Sequence, residues 1–142
     1  MKKTNNKGFS LVELIIVIAI MAVLVGILAP QFIKYVGNSR VSTDIKNGQE
    51  IAAVISAGTA DGTIIADVTT PALCSALPAD VLAMLGGSVP TLKASYAATS
   101  YYYYTVTVST GALNVYIGSS PAAADLEEIY PNADAFSTNH MN

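Results

Sequence analysis

The chain has the sequence KGFSLVELIIVIAIMAVLVGILA over residues 7–29, and the last sixteen of these positions carry no polar side chain. As an α-helix, residues 9–29 would be about 31 Å long, which matches the hydrocarbon thickness of a bilayer. Three lysines precede the apolar run. Because positively charged flanks stay in the cytoplasm, we expect one membrane-spanning helix with its N-terminus inside and the rest of the chain on the far side.

Two ordinary interpretations of this segment are unsatisfactory. A secretory signal peptide ends in a small-x-small cleavage site, but Ile27 lies two residues before Ala29 and Pro30 follows directly. A plain membrane anchor leaves Glu13 unexplained, because a carboxylate inside a spanning helix costs roughly 2.5–3.5 kcal/mol. An interpretation of this segment therefore has to explain which positive charge pairs with Glu13.

Cleavage between Gly8 and Phe9 would supply that partner. Phe9 would gain a free α-amine, and Glu13, four residues later, lies on the same helical face. A neighbouring copy could supply the amine from its own Phe9, so that Glu13 would set the axial register between subunits. The alternative is that Glu13 lies in the headgroup region near the helix end and needs no partner.

The string KGFSLVELI at residues 7–15 resembles the class III signal of type IV prepilins and of type II secretion pseudopilins. The match includes the short basic leader, the glycine before the cut, the aromatic residue after it and the glutamate in the mature chain. Gly26 and Pro30 resemble the family's helix-loosening positions. The resemblance covers about the first 30 residues.

The resemblance implies a processing and assembly pathway. A membrane prepilin peptidase cleaves after Gly8 and methylates the amine of Phe9. The mature chains then form a homo-oligomeric helical filament through their N-terminal helices, with Phe9, Glu13 and Pro30 as assembly residues. Pilus assembly machinery with cytoplasmic ATPases drives extension. From composition and charge, we expect no cofactor, no metal and no direct binding of nucleic acid. The precursor is expected in the inner membrane with its N-terminus inside, and the product is an extracellular surface filament.

The function implied is that of a type IV pilin serving adhesion, motility or DNA uptake. The alternative is a pseudopilin of a type II secretion or competence system, but the acidic C-terminal loop of major secretion pseudopilins has no match here. Two other classes stay open: a single-pass anchored binding protein that never polymerises, and a secreted enzyme.

We predict an α+β, type IV pilin-like fold in which a long N-terminal helix packs on a small antiparallel sheet. The predicted segments are a cleaved leader at residues 1–8, an apolar helix at 9–30, an amphipathic continuation at 31–58 and an α+β head at 59–142. Pro30 predicts a kink or a short melted stretch.

The amphipathic continuation is predicted from an apolar stripe with spacings of 4, 3, 4 and 3, formed by Val41, Ile45, Gly48, Ala52 and Ile55. The pairs Arg40/Asp44 and Lys46/Glu50 are expected on its solvent-facing side.

The head is predicted from turn and strand patterns. A candidate strand covers residues 63–68, and Thr70–Pro71 resembles a helix start. Pro78 begins a second short helix that ends at Gly86–Gly87. The clearest strand is residues 101–109, followed by a turn at Thr110–Gly111, a hairpin partner at 112–117 and a helix at 122–129 that Pro131 stops. The faces of this hairpin are expected to cover the helix stripe.

The tyrosines at residues 101–104 favour a strand, and Tyr101 and Tyr103 on its outer face are candidates for surface contact. No other site is predicted. His140 lies in a polar tail, Glu127 and Glu128 point about 100° apart on the expected helix, and Cys74 is expected to be a small buried hydrophobe.

Composition excludes several classes. The chain has 142 residues, of which 52% are hydrophobic and 12% charged, so disorder is excluded as the main state. One cysteine and one histidine exclude an intrachain disulfide and a Cys/His zinc site. Without the leader lysines, four Lys/Arg and ten Asp/Glu remain, a net charge of −6 that disfavours DNA binding. The chain is not expected to be an enzyme.

Overall fold

A computed structural model describes residues 9–96, 99–122 and 124–141 of the chain. Four strands form an antiparallel sheet in the order β1-β2-β3-β4. The predicted α+β fold, a long N-terminal helix packed on a small antiparallel sheet, is confirmed. The elements in chain order are α1 (Leu11–Ala60), β1 (Val68–Leu73), a 3₁₀ turn (Cys74–Ala76), α2 (Ala79–Met84), β2 (Tyr101–Thr107), β3 (Ala112–Gly118), β4 (Glu127–Tyr130) and α3 (Asp134–His140).

The chain forms two compact units, and the boundary between them falls within α1. The first, Met1–Val36, is called the N-terminal unit here, and the second, Gly37–Asn142, the head unit. The sheet, α2, α3 and the second half of α1 all belong to the head unit.

The core of the head unit lies between α1 and the sheet. Ile51 and Ile55 of α1 are fully buried and pack with Val106 of β2 and Val115 of β3. The hairpin therefore covers a buried face of α1 that runs from Val41 to Gly58, as the stripe predicts, whereas Phe32, Ile33 and Tyr35 at the start of the predicted continuation are exposed. The helix ends at Ala60, where Gly62 has a φ of +81° and the Ile64 N–H donates to the Gly58 carbonyl at 2.8 Å.

The helix is continuous through Pro30, so the predicted melted stretch is absent from the described residues. Proline removes one N–H donor, while the turns on either side keep their own hydrogen bonds.

The predicted strand at residues 63–68 and the predicted helix start at Thr70–Pro71 are wrong. Strand β1 runs instead from Val68 to Leu73 and includes Pro71. It pairs with β2 through Val68↔Val106 and Ala72↔Tyr104, and the register shifts between these pairs. Because β1 is an edge strand with a bulge at this point, Pro71 does not have to donate to the ladder.

The predicted helix at residues 122–129 is also wrong. Glu127–Tyr130 forms β4, which pairs with β3 through Tyr116↔Glu128 and Ile117↔Glu127. The edge of β3 offers backbone hydrogen bonds to residues 127–130, and these favour a strand over a short helix that has little packing of its own. The polar tail contains a helix that we did not predict, α3, which is anchored by Phe136 at 1% exposure.

Two glycines of α1 should respond in opposite directions to the same substitution. A Cβ at Gly48 would collide with the Cδ1 atom of buried Ile129, whereas a Cβ at Gly37 would have no atom within 4 Å. We expect Gly48→Ala to lower the free energy of unfolding of the head unit by about 1–2 kcal/mol. Gly37→Ala should raise it by up to about 1 kcal/mol, because alanine favours the helix.

Urea unfolding of the chain in detergent, followed by the near-UV circular dichroism of its tyrosines, measures both effects. Equal shifts for the two variants would contradict the close packing of α1 on β4.

Candidate functional site

The N-terminal unit leaves its apolar side chains uncovered. Each large hydrophobic side chain between residues 11 and 33 is 47–73% exposed. Within the described residues, α1 is the one helix long and apolar enough to cross a membrane, and none of its most apolar window is buried in the structure. A surface of this kind is stable only in a bilayer or against other apolar helices.

Glu13 lies in the first turn of α1 and caps its own helix. The Ser10 N–H donates to Glu13 Oε2 at 2.9 Å, and the Leu14 N–H donates to the Ser10 carbonyl at 3.2 Å. This is the glutamate half of a capping box, in which the side chain of the third helical residue accepts a hydrogen bond from the backbone N–H of the N-cap residue. The S-x-x-E spacing of Ser10 and Glu13 is typical of a capping box, and we did not predict this from the sequence.

The predicted site residues fall into two places along α1. Phe9 is 83% exposed and directly precedes Ser10, so Phe9 and Glu13 lie at the same end of the helix. Pro30 lies within the helix, away from that end. Gly8, with the rest of the predicted leader at residues 1–8, lies outside the described residues.

This N-terminal segment has known counterparts. Residues 3–29 match the family model of the prokaryotic N-terminal methylation motif. The N-terminal segment therefore carries the motif that this family model describes. Three sequences of the type IV major fimbrial protein FimA of Dichelobacter nodosus are each 37% identical to the chain over 60 residues. Those residues are 42% of this chain and 38% of each relative, so the chain matches well under half of the relatives' length. No solved structure matches the chain.

The two tyrosines that the sequence places on the outer face of β2 differ in exposure. Tyr101 is 51% exposed, as predicted. Tyr103 is 2% exposed, so its prediction as a surface contact is wrong. Its hydroxyl donates to the Ser119 carbonyl at 3.3 Å. The chain after β3 folds over this face, held by hydrogen bonds from the Ser119 N–H and hydroxyl to the Asp125 carboxylate at 3.1 and 2.9 Å.

Asp44 is the one described charged residue that is fully buried, and its predicted place on the solvent-facing side of α1 is wrong. Its Oδ1 accepts the Lys93 N–H at 2.7 Å, and its Oδ2 accepts the Ala94 N–H at 2.8 Å and the Tyr96 hydroxyl at 2.9 Å. The carboxylate therefore fastens the segment between α2 and β2 to α1. Since Asp44 lies three residues after Val41, the helical period alone allowed it a buried position.

Aromatic contacts extend this network to the C-terminus. The Tyr96 ring lies 5.5 Å from the ring of Phe136 and 5.2 Å from that of His140. His140 is not in a free polar tail, because its Nε2 lies 3.1 Å from Glu127 Oε2 and its side chain is 31% exposed. Burial, followed by the hydrogen bond to Asp44, raises the pKa of Tyr96 above its usual value.

Cys74 is fully buried, which confirms its prediction as a small buried hydrophobe. Burial raises the pKa of its thiol to about 12. At pH 8 the thiol is therefore neutral in the folded protein, and the thiolate is the reactive form. We expect no reaction of the native chain with an aromatic disulfide reagent over an hour at pH 8, and one equivalent of labelling in urea. Stoichiometric labelling without denaturant would contradict this burial.

Proposed function

We propose that the chain is the structural subunit of a type IV pilus. One observation carries the proposal: the apolar surface of α1 between residues 11 and 33 is uncovered and begins beside a single acid, Glu13. The fimbrial relatives and the methylation motif support the same function.

Processing and membrane insertion come first in this proposal. The precursor lies in the inner membrane as a single-pass protein with its lysine-rich N-terminus in the cytoplasm. A prepilin peptidase cleaves between Gly8 and Phe9, and the new amine of Phe9 is methylated.

Assembly then moves the apolar helix from lipid into contact with the helices of other copies. Lipid tails are as apolar as these side chains, so burial alone gives little preference for the filament over the bilayer. The pairing of Glu13 with the Phe9 amine of a neighbour would supply that preference and set the axial offset. The assembly machinery of the pilus is the expected partner at this step.

The proposal gives the chain no catalytic role and no cofactor. Its one thiol is buried, and its one histidine contacts Glu127 beside the ring of Phe136. Adhesion and motility are the roles that fit best, since the net charge of −6 per subunit after cleavage disfavours direct DNA binding by the filament. The pseudopilin alternative is not favoured, because the relatives are named as fimbrial proteins.

Two measurements test this function. Mass spectrometry of the mature protein should find a chain that begins at methylated Phe9, and electron microscopy of material sheared from cells should find long filaments that contain it. A mature chain that keeps Met1, or cells that carry the processed chain but no filaments, would overturn the proposal.

A further inference from the structure

An exposed isoleucine projects from the end of the head unit where α1 joins β1. Ile65 is 81% exposed, whereas the preceding Ile64 is buried in the core at 6% exposure. Both lie in the connection at residues 61–67, here called the knob loop. Burial of this side chain in an apolar groove would be favourable, because it removes apolar surface from water.

The knob loop is held in place at several points. The Thr63 N–H donates to Asp61 Oδ1 at 2.9 Å, and the Ile64 N–H donates to the Gly58 carbonyl at 2.8 Å. At its other end, Asp67 Oδ1 accepts the Val108 N–H at 2.8 Å. Ile65 is thus presented on a preorganised loop, so ordering it on contact costs little.

The same head unit contains an apolar groove with a volume of about 510 Å³. Leu73 and Tyr101, which are 39% and 51% exposed, line it. Val89, Pro90 and Leu92, from the segment before β2, line it as well. We call it the Tyr101 groove.

The knob loop and the Tyr101 groove lie at opposite ends of β1. The knob loop leads into Val68, the first residue of the strand, and the groove is lined by Leu73, the last. At about 3.3 Å per residue, these two ends are roughly 17 Å apart. A contact between the knob of one copy and the groove of the next joins two different surfaces, and repeated head-to-tail contacts of this kind form a helical filament when the rotation between copies does not close a ring.

The charges at the two ends are opposite. The head unit has three Lys/Arg and nine Asp/Glu, so two heads repel each other on average. Two of its three cations, Arg40 and Lys93, line a hollow that adjoins the Tyr101 groove and shares Tyr101 with it. The knob loop carries the exposed acids Asp61 and Asp67.

We propose that the knob loop of one head inserts Ile65 into the Tyr101 groove of a second copy, with Asp61 and Asp67 facing Arg40 and Lys93 of that copy. The inference rests on the proposed filament and specifies a contact between its heads. The apolar groove supplies the contact area, and the charges select the head-to-tail orientation.

Cysteine cross-linking of full-length mature filaments tests the contact. The double variant Ile65→Cys/Tyr101→Cys should give a ladder of covalent dimers, trimers and longer products after mild oxidation, on a non-reducing gel. Each single variant should stay monomeric. A disulfide needs Cβ atoms about 3.5–4.5 Å apart, so only direct contact gives the ladder. Native Cys74 is fully buried and does not compete.

A matched pair provides the control. Met84 is 53% exposed in the same head unit but lines neither the knob loop nor the groove, so filaments of Met84→Cys/Tyr101→Cys should give no ladder. Normal filaments of the Ile65→Cys/Tyr101→Cys variant without a ladder would overturn the inference and leave the proposed function standing. Dimers from Ile65→Cys alone would also overturn it. Absence of filaments from the unmodified chain would overturn the proposed function and this inference together.

A charge comparison tests the orientation without new cysteines. Lys93→Glu should lower filament yield at low salt at least tenfold, and Lys46→Glu, which reverses the third cation of the head, should lower it less than twofold. The backbone N–H of Lys93 that binds Asp44 is kept in the variant, and near-UV circular dichroism checks the fold. Equal yields from the two variants would overturn the inference.

Discussion

Replacement of Glu13 with alanine or glutamine should lower the yield of sheared filaments by roughly a hundredfold or more, while membrane insertion stays intact. In the proposed filament, the carboxylate of Glu13 and the ammonium of a neighbour's Phe9 lie in apolar surroundings, and each is the ionic partner of the other. Removing one partner leaves the other charge buried and unpaired. Insertion is unaffected because both replacements are less costly in lipid than a carboxylate.

The two replacements separate two roles of the same side chain. Glutamine keeps an oxygen that can accept the Ser10 N–H now bound at 2.9 Å, but it loses the charge, whereas alanine loses both. If charge pairing drives assembly, both variants fail. Immunoblots of sheared filaments and of carbonate-washed membranes measure the two outcomes. Normal assembly of Glu13→Gln would show that helix capping is enough and would refute the pairing hypothesis.

Asp44→Ala should lower the free energy of unfolding of the head unit by about 3–5 kcal/mol, against a typical total of about 5–15 kcal/mol. The variant leaves the N–H groups of Lys93 and Ala94 and the hydroxyl of Tyr96 without the acceptor they share. Each of these bonds joins α1 to the segment before β2, so their loss also releases the ring of Tyr96 from its place beside Phe136.

Two comparisons make this result specific. Glu50→Ala removes an exposed acid from the same helix and should change the free energy of unfolding by less than about 0.5 kcal/mol. Tyr96→Phe removes one hydrogen bond to the carboxylate and should cost about 1.5–3 kcal/mol. Urea titration followed by near-UV circular dichroism measures all three variants. An Asp44→Ala variant as stable as the Glu50→Ala control would contradict the structural role of Asp44.

The helix and the hairpin were predictable because their signals are local and repeated. The stripe that includes Gly48 and Ile55 repeats over four turns of α1, and alternation from Tyr102 to Val106 identifies a strand with one buried face. Short elements were not predictable in the same way. Pro71 is typical of a helix start but lies in β1, and Glu127 fits a helix but pairs with β3.

The exposure of individual polar and aromatic residues depended on segments distant in sequence. Tyr103 alternates with Tyr102 and Tyr104 along β2, which places it on the outer face of the strand. The segment that includes Ser119 and Asp125 nevertheless covers it. Asp44 is buried because donors from residues 93–96 reach it, about fifty positions along the chain. Neither contact leaves a periodic signal in the sequence.

The amino-acid order by itself determined the apolar helix, the acid at its start and the faces of the long helix and the hairpin, because these depend on hydrophobicity and periodicity within single elements. The tertiary structure alone decided that Asp44 is a buried anchor, that Tyr103 is covered while Tyr101 is free, and that Ile65 and the Tyr101 groove lie at opposite ends of β1. These features arise where separate segments meet, and their energies depend on contacts that no local pattern records.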